Sequence, residues 1–170
     1  MSRLVADSSA LVSLGIVADN DLDPFSICIA QSEVVVPTAV IEELREVASY
    51  DDAHGRVATA VLERDETLEI RSVDFDAEFP LDDGENAAVT LSNELDVALF
   101  LCDEFSQLNL IHASLADTRL VTTPIMLSVL VRTEQPSGTE AQMLLDKISD
   151  ARSWKANSYV QRTRSLLNEP

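Results

Sequence analysis

The run Val97-Ala98-Leu99-Phe100-Leu101-Cys102 has no polar residue in it. A strand with one wet face alternates apolar and polar side chains. A continuous run is expected of a strand covered on both faces, as in parallel sheets. Two other short runs behave alike: Leu4-Val5-Ala6, and the β-branched Val34-Val35-Val36 stopped by Pro37. Between the runs lie helical patterns. In residues 38–49, Val40, Leu44 and Val47 recur at i, i+4 and i+7. Further helices are expected over 9–17, 24–30 with Pro24 in its first turn, 53–63 where Gly55 weakens the pattern, and 105–115 and 124–132. Another begins after "LDDG", capped by Asp82 or Asp83. Weaker strands are expected over 68–73 and 119–123. This strand–helix alternation predicts an α/β fold, a parallel sheet with helices on both sides. Gln135-Pro136-Ser137-Gly138 marks a break, with helices expected over about 139–150 and 155–167. With no long linker or repeat, residues 1–170 read as a single domain in which 133–170 form a C-terminal helical extension.

Apolar residues make up 46% of the 170, enough for a full core. No apolar stretch approaches the roughly 20 residues that span a bilayer. The start, MSRLVADSS, has one Arg and a three-residue apolar run, which does not suit a signal peptide. A cytoplasmic protein that does not engage a membrane is expected. Cys28 and Cys102 sit in apolar surroundings and read as small buried hydrophobes rather than a disulfide or metal pair. Thirty acids against twelve bases leave a net charge of −18, and only Lys147 and Lys155 are lysines. The acids are spread along the chain. Such a surface suits a protein from a salt-loving organism, because at about 1 M salt the Debye length is near 3 Å and self-repulsion is screened. A basic protein partner is the other explanation.

Four acids stand out from this background. Ligands of open parallel sheets bind at the carboxyl ends of the strands, where strand order reverses. Asp7 and Asp103 are each the first polar residue after a buried run, which puts both at that edge; Asp103 also reads as a helix N-cap. Glu43 falls inside the apolar stripe of its helix, three residues after Val40, whereas Glu42 and Glu46 point away. A carboxylate on a core-facing side needs a partner or a metal, unless it reaches past an edge to water. Glu85 opens the helix after "LDDG", where an acid also suits the helix dipole. Asp82, Asp83 and Glu104 are harder to separate from solvated caps. Converging carboxylates without clustered His or Cys suit a hard cation, Mg²⁺ or Mn²⁺, a device for phosphoryl chemistry.

"LVADSSALVSL", "VVVPTAVIEEL", "LDDGENAAVTLSNE" and "ALFLCDE" resemble, in order and spacing, the four acidic motifs of the PIN-domain family. "RLVTTPIMLSVLV" and the helical tail resemble the stretch that follows in VapC-like prokaryotic PIN proteins. The resemblance spans roughly residues 3–132. It implies a three-layer α/β/α sandwich with about five parallel strands in the order 3-2-1-4-5. It also implies a metal-dependent endoribonuclease, possible toxin of a toxin–antitoxin pair, with RNA as substrate, Mg²⁺ or Mn²⁺ as cofactor, an antitoxin protein as partner, and homodimers as relatives commonly form. Its four acids fall on Asp7, Glu43, Glu85 and Asp103. Glu104 matches an acid that often accompanies the fourth, and Ser9 a hydroxyl that follows the first; Ser9 also reads as a helix cap. Many relatives carry an Arg a few residues after the fourth acid, and "DEFSQLNLIHASL" has none. That departure keeps open a weak or inactive PIN-like binding or regulatory module.

Other enzyme classes fit less well. A haloacid-dehalogenase-like phosphatase wants Asp-x-Asp, but Asp7 is followed by Ser8 and Ser9. A receiver domain needs a late Lys at a strand end, and no Lys precedes Lys147. His112 and His54 read as structural or surface residues, and Trp154 and Tyr159 as packing anchors rather than a base-stacking platform.

Overall fold

The computed structural model describes residues 1–133 and 136–168. Five strands form one all-parallel sheet: β1 (Ser2–Ala6), β2 (Ser32–Pro37), β3 (Glu69–Arg71), β4 (Leu99–Leu101) and β5 (Arg119–Val121). Their spatial order is β3-β2-β1-β4-β5. Chain order therefore reverses between β1 and β4, which pair directly, with Val5 opposite Phe100 and Ala6 opposite Leu101. This is the expected three-layer α/β/α arrangement, with the switch point expected of a ligand-binding edge.

The sheet is covered on both faces, which is why its central strands are apolar throughout. On one face, Leu4, Ala6, Val34, Val36 and Leu101 pack with α1 (Ser8–Ile16), α3 (Thr38–Ala48), α4 (Ala53–Leu62) and the start of α7 (Thr123–Arg132). On the other, Val5, Val35, Phe100 and Cys102 pack against α5 (Asp83–Leu95) and α6 (Leu108–Ser114). Neighbouring residues of one strand enter opposite cores, as the two-residue period of a strand requires. A short α2 (Pro24–Gln31) enters β2, with Asp23 as its N-cap.

The last two helices, α8 (Gly138–Arg152) and α9 (Ser158–Leu167), build a third apolar cluster. Leu144, Leu145, Ile148, Trp154 and Val160 close on Val17 and on Leu127 of α7. A capping box starts α8, the Ser137 hydroxyl and Glu140 carboxylate each serving the other's backbone N–H. Gln135, part of the expected break, lies outside the described residues.

Several boundaries differ from the sequence expectation. The strand expected over 68–73 is reduced to Glu69–Arg71 because it is an edge with β2 as its one neighbour and Ile70 stays exposed. The helix expected over 105–115 opens as a 3₁₀ turn, Phe105–Gln107, before α6. Gly55 does not weaken α4. A Cβ there would run into the carbonyl oxygen of Tyr50, so only glycine permits the tight return from α3. Among the described residues no helix is long and apolar enough to cross a membrane.

Candidate functional site

Asp7 follows β1 directly and N-caps α1 in extended conformation. Its Oδ1 accepts from the Ala10 amide at 3.0 Å and from the Ser9 hydroxyl at 2.7 Å. Its Oδ2 accepts from the Cys102 thiol at 3.0 Å. The side chain is 2% exposed. Burial pushes its pKa up to about 7, past the lowering effect of the Cys102, Ala10 and Ser9 hydrogen bonds, with Asp103 adding to the rise.

Asp103, 3% exposed, stands beside Asp7 because β4 pairs with β1. Ser9 joins the two, since its oxygen also accepts from the Asp103 amide at 2.9 Å. The cap of α1 is thus Asp7, and Ser9 is the brace between two strand ends. Asp103 does not cap the turn that follows it. Its carboxylate accepts from the amide and hydroxyl of Thr123, at 2.7 and 2.5 Å, where α7 begins. Burial holds its pKa up, while Thr123 and the Arg152 guanidinium pull it back.

Glu43 is half-buried on α3 and spans two elements. Its Oε2 accepts from the Ser8 hydroxyl at 2.7 Å and its Oε1 from the Gly84 amide at 3.0 Å. A Cβ on Gly84 would lie 2.5 Å from Glu43 Cδ, so the glycine is what admits the carboxylate. Burial raises the Glu43 pKa against these two bonds, and Asp82 and Asp83 add to the rise. Glu42 and Glu46 are exposed, as the stripe requires.

Glu85, 6% exposed, sits in the first turn of α5, which Asp82 caps by accepting from the Glu85 amide at 2.8 Å. Its pKa is raised by burial first, then by Asp82, Glu104 and Asp7. Those causes place Glu85 within electrostatic reach of both strand ends. Glu104, half-buried, accepts from Ser106 at 2.6 Å. Asp83 is exposed.

Sequence reasoning missed four contributors. Cys102 is buried as expected, but it is a donor to Asp7 and not an inert hydrophobe. Its thiol pKa is pushed strongly up, by burial and then by Asp7. Ser8 was visible only as a second hydroxyl beside Ser9. Thr123 and Arg152 carry no local signal, since their relevance exists only through Asp103, which Thr123 hydrogen-bonds and the Arg152 charge reaches. His54 and His112 are exposed, as expected. Trp154 is buried in the third cluster, whereas Tyr159 is 40% exposed, so only the first is a packing anchor in full.

Among the described residues, no three His, Cys, Asp or Glu side chains are drawn together tightly enough to hold a metal ion as they stand. Asp7, Glu43 and Asp103 are each turned to their own donors instead. The donor chemistry nonetheless fits a hard divalent cation. Asp7 and Asp103 are buried carboxylates at one sheet edge and Glu85 is a buried carboxylate in the first turn of α5, and burial of such charges is costly without neutralisation. A family model, DUF3368, described as a PIN domain, matches residues 3–169. No curated protein matches the chain.

Proposed function

The chain belongs to the PIN-domain family, whose fold is of the nuclease type, and from that premise we propose that it is a metal-dependent endoribonuclease. The observation that carries this reading is the pair Asp7 and Asp103, two residues with buried carboxylates at adjacent strand ends, joined by the Ser9 hydroxyl, which donates to the Asp7 carboxylate and accepts from the Asp103 amide. Asp7, Glu43, Glu85 and Asp103, with Glu104, would hold Mg²⁺ or Mn²⁺. When bound, such an ion neutralises phosphate charge and makes water a better nucleophile.

The chain's own groups do the rest. Ser9, Ala10 and Cys102 keep the Asp7 oxygens in place, and Thr123 does so for Asp103. Ser8 and Gly84 hold Glu43 toward the same edge. Glu85, crowded by like charges, is suited to accept the proton of an attacking water. Attack on phosphorus forms the new P–O bond and breaks the P–O3′ bond, and the departing O3′ takes a proton from solvent water, leaving a 5′-phosphate and a 3′-hydroxyl. Arg152, whose charge reaches Asp103, would meet the phosphate in place of the Arg that many relatives carry a few residues after that acid.

The same reading makes the protein a candidate toxin of a toxin–antitoxin pair, with a basic or mixed-charge antitoxin protein as partner and a homodimer as its working form. The second reading is a weakly active or inactive PIN-like binding module. The lack of an Arg within a few residues after Asp103 and the separate hydrogen bonding of Asp7, Glu43 and Asp103 favour it.

Cleavage of single-stranded RNA in Mn²⁺, in EDTA and by Asp7→Asn separates the two. The nuclease requires Mn²⁺-dependent cleavage with 5′-phosphate ends, abolished in both controls. No cleavage by folded protein that binds RNA supports the module.

A further inference from the structure

Two cavities flank the carboxylates, and their linings differ in charge. The larger, about 660 Å³, opens between α3 and the start of α5 and is lined by Glu42, Glu43, Glu46, Asp82 and Asp83. It repels a polyanion. The second, about 360 Å³, lies between α6, the start of α7 and α9. Its volume is toward the lower end of the roughly 300–1,000 Å³ range of small-ligand cavities. Its lining contains no carboxylate. It has apolar Leu120 and Ile125, the polar Asn109 and His112, the ring of Tyr159, and Arg162.

This second cavity is tied to the carboxylate site by two routes. Tyr159 stacks on Phe105 with ring centroids 5.4 Å apart and planes 14° from parallel; Phe105 follows Asp103 by two residues. Thr122, also in the lining, precedes the Thr123 that binds the Asp103 carboxylate. The charge is distributed in the same sense. Residues 133–170 carry five acids and five bases, so the −18 belongs entirely to residues 1–132. From 151 to 168 there are Arg152, Lys155, Arg162 and Arg164 and no acid. Arg164 is paired with Asp146, whereas Arg152 lies over the Trp154 ring, 5.6 Å from its centroid, and Trp154 meets Phe105 edge-on at 4.9 Å.

We propose that the cavity between α6 and α9 is a nucleobase subsite, holding one unpaired base of single-stranded RNA beside the phosphate to be cut. The base stacks on the exposed face of Tyr159, Asn109 and His112 meet its polar edge, and Arg162 meets the adjoining phosphate. The proposal deepens the ribonuclease reading and rests on it. The occupant is a base and not an acidic peptide because the cavity pairs one flat aromatic wall with a single lining cation. Stacking on an aromatic side chain tolerates any base, and an unstacked base is available only in single strands.

The test is steady-state cleavage of single-stranded RNA in Mn²⁺ by the full chain, Tyr159→Phe, Tyr159→Ala and Arg162→Gln, with melting curves for each. It is joined to photocrosslinking of RNA bearing 4-thiouridine next to the cleaved bond. Tyr159→Ala should raise KM about tenfold, within the range for loss of one stacked base, with kcat little changed. Tyr159→Phe should restore it, Arg162→Gln should raise KM about threefold, and crosslinks should fall on α6 or α9. Wild-type KM in Arg162→Gln and Tyr159→Ala, or crosslinks confined to α3 and α5, overturns the subsite while leaving the ribonuclease standing. Absence of cleavage by the wild type overturns both.

Discussion

The Cys102 thiol donates to Oδ2 of Asp7 across 3.0 Å, linking the ends of β4 and β1 from their buried side. It is the sole donor to that oxygen among the described residues. In Cys102→Val the oxygen is buried without a partner, and stability should fall by about 1–3 kcal/mol at pH values where Asp7 is ionised. Cys102→Ser keeps a donor and should stay within about 1 kcal/mol of the wild type. Denaturant titrations at about pH 8 decide between them.

Gly84→Ala separates folding from activity. The new methyl meets the end of a flexible side chain, Glu43, and not the backbone. The fold should therefore survive with its melting temperature nearly unchanged. Glu43 must leave the Gly84 amide, and RNA cleavage should drop by roughly 10- to 100-fold, the usual scale for a displaced group around a metal site. Equal kcat in the two proteins would contradict this role for Glu43.

Gly55→Ala should do the opposite. Helix propensity alone predicts a gain of about 1 kcal/mol, but the Cβ collides with the Tyr50 carbonyl. A net loss of about 1–3 kcal/mol is expected, as for other overpacked sites. Kinetic constants below the unfolding transition should match the wild type. A higher melting temperature would show that the α3–α4 return can open without cost.

Without metal, stability should decline as pH rises. Asp7 goes from 3.8 to about 7 on folding, and Glu43, Glu85 and Asp103 move the same way. A raised carboxyl pKa means that the folded state binds more protons than the unfolded one. The stability it contributes is complete below about pH 4 and is lost through about pH 7. Melting curves in EDTA should fall across that window, and Mn²⁺ should reverse the loss by binding the ionised form. A flat profile in EDTA, or indifference to millimolar Mn²⁺, would remove the basis for a metal site here.

Salt should act on the acidic part of the chain. Raising KCl from about 0.1 M to above roughly 1 M screens like-charge repulsion, so both melting temperature and cleavage rate should rise. With few cations lining the proposed RNA path, little affinity is lost to counterion competition. A circular-dichroism and cleavage series at fixed Mn²⁺ checks this. If the protein cleaves fastest at the lowest salt, a basic protein partner becomes the better account of the −18 charge.

The apolar runs of the chain determined by themselves that it would form a parallel sheet covered on both faces. The positions of Asp7 and Asp103 at strand ends, and of Glu43 inside an apolar stripe, were equally legible. These are local facts, because strand burial and helix phase are read from neighbouring residues. Tertiary structure alone decided what surrounds those acids. Cys102 reads as a small hydrophobe until β4 lies against β1, and only then is its thiol beside a carboxylate. Thr123 and Arg152 act on Asp103 from 20 and 49 residues away in the chain, and Tyr159 reaches Phe105 only after α9 packs down. No local pattern encodes such pairings. They arise from the register of strands and the docking of helices, which depend on the whole core at once.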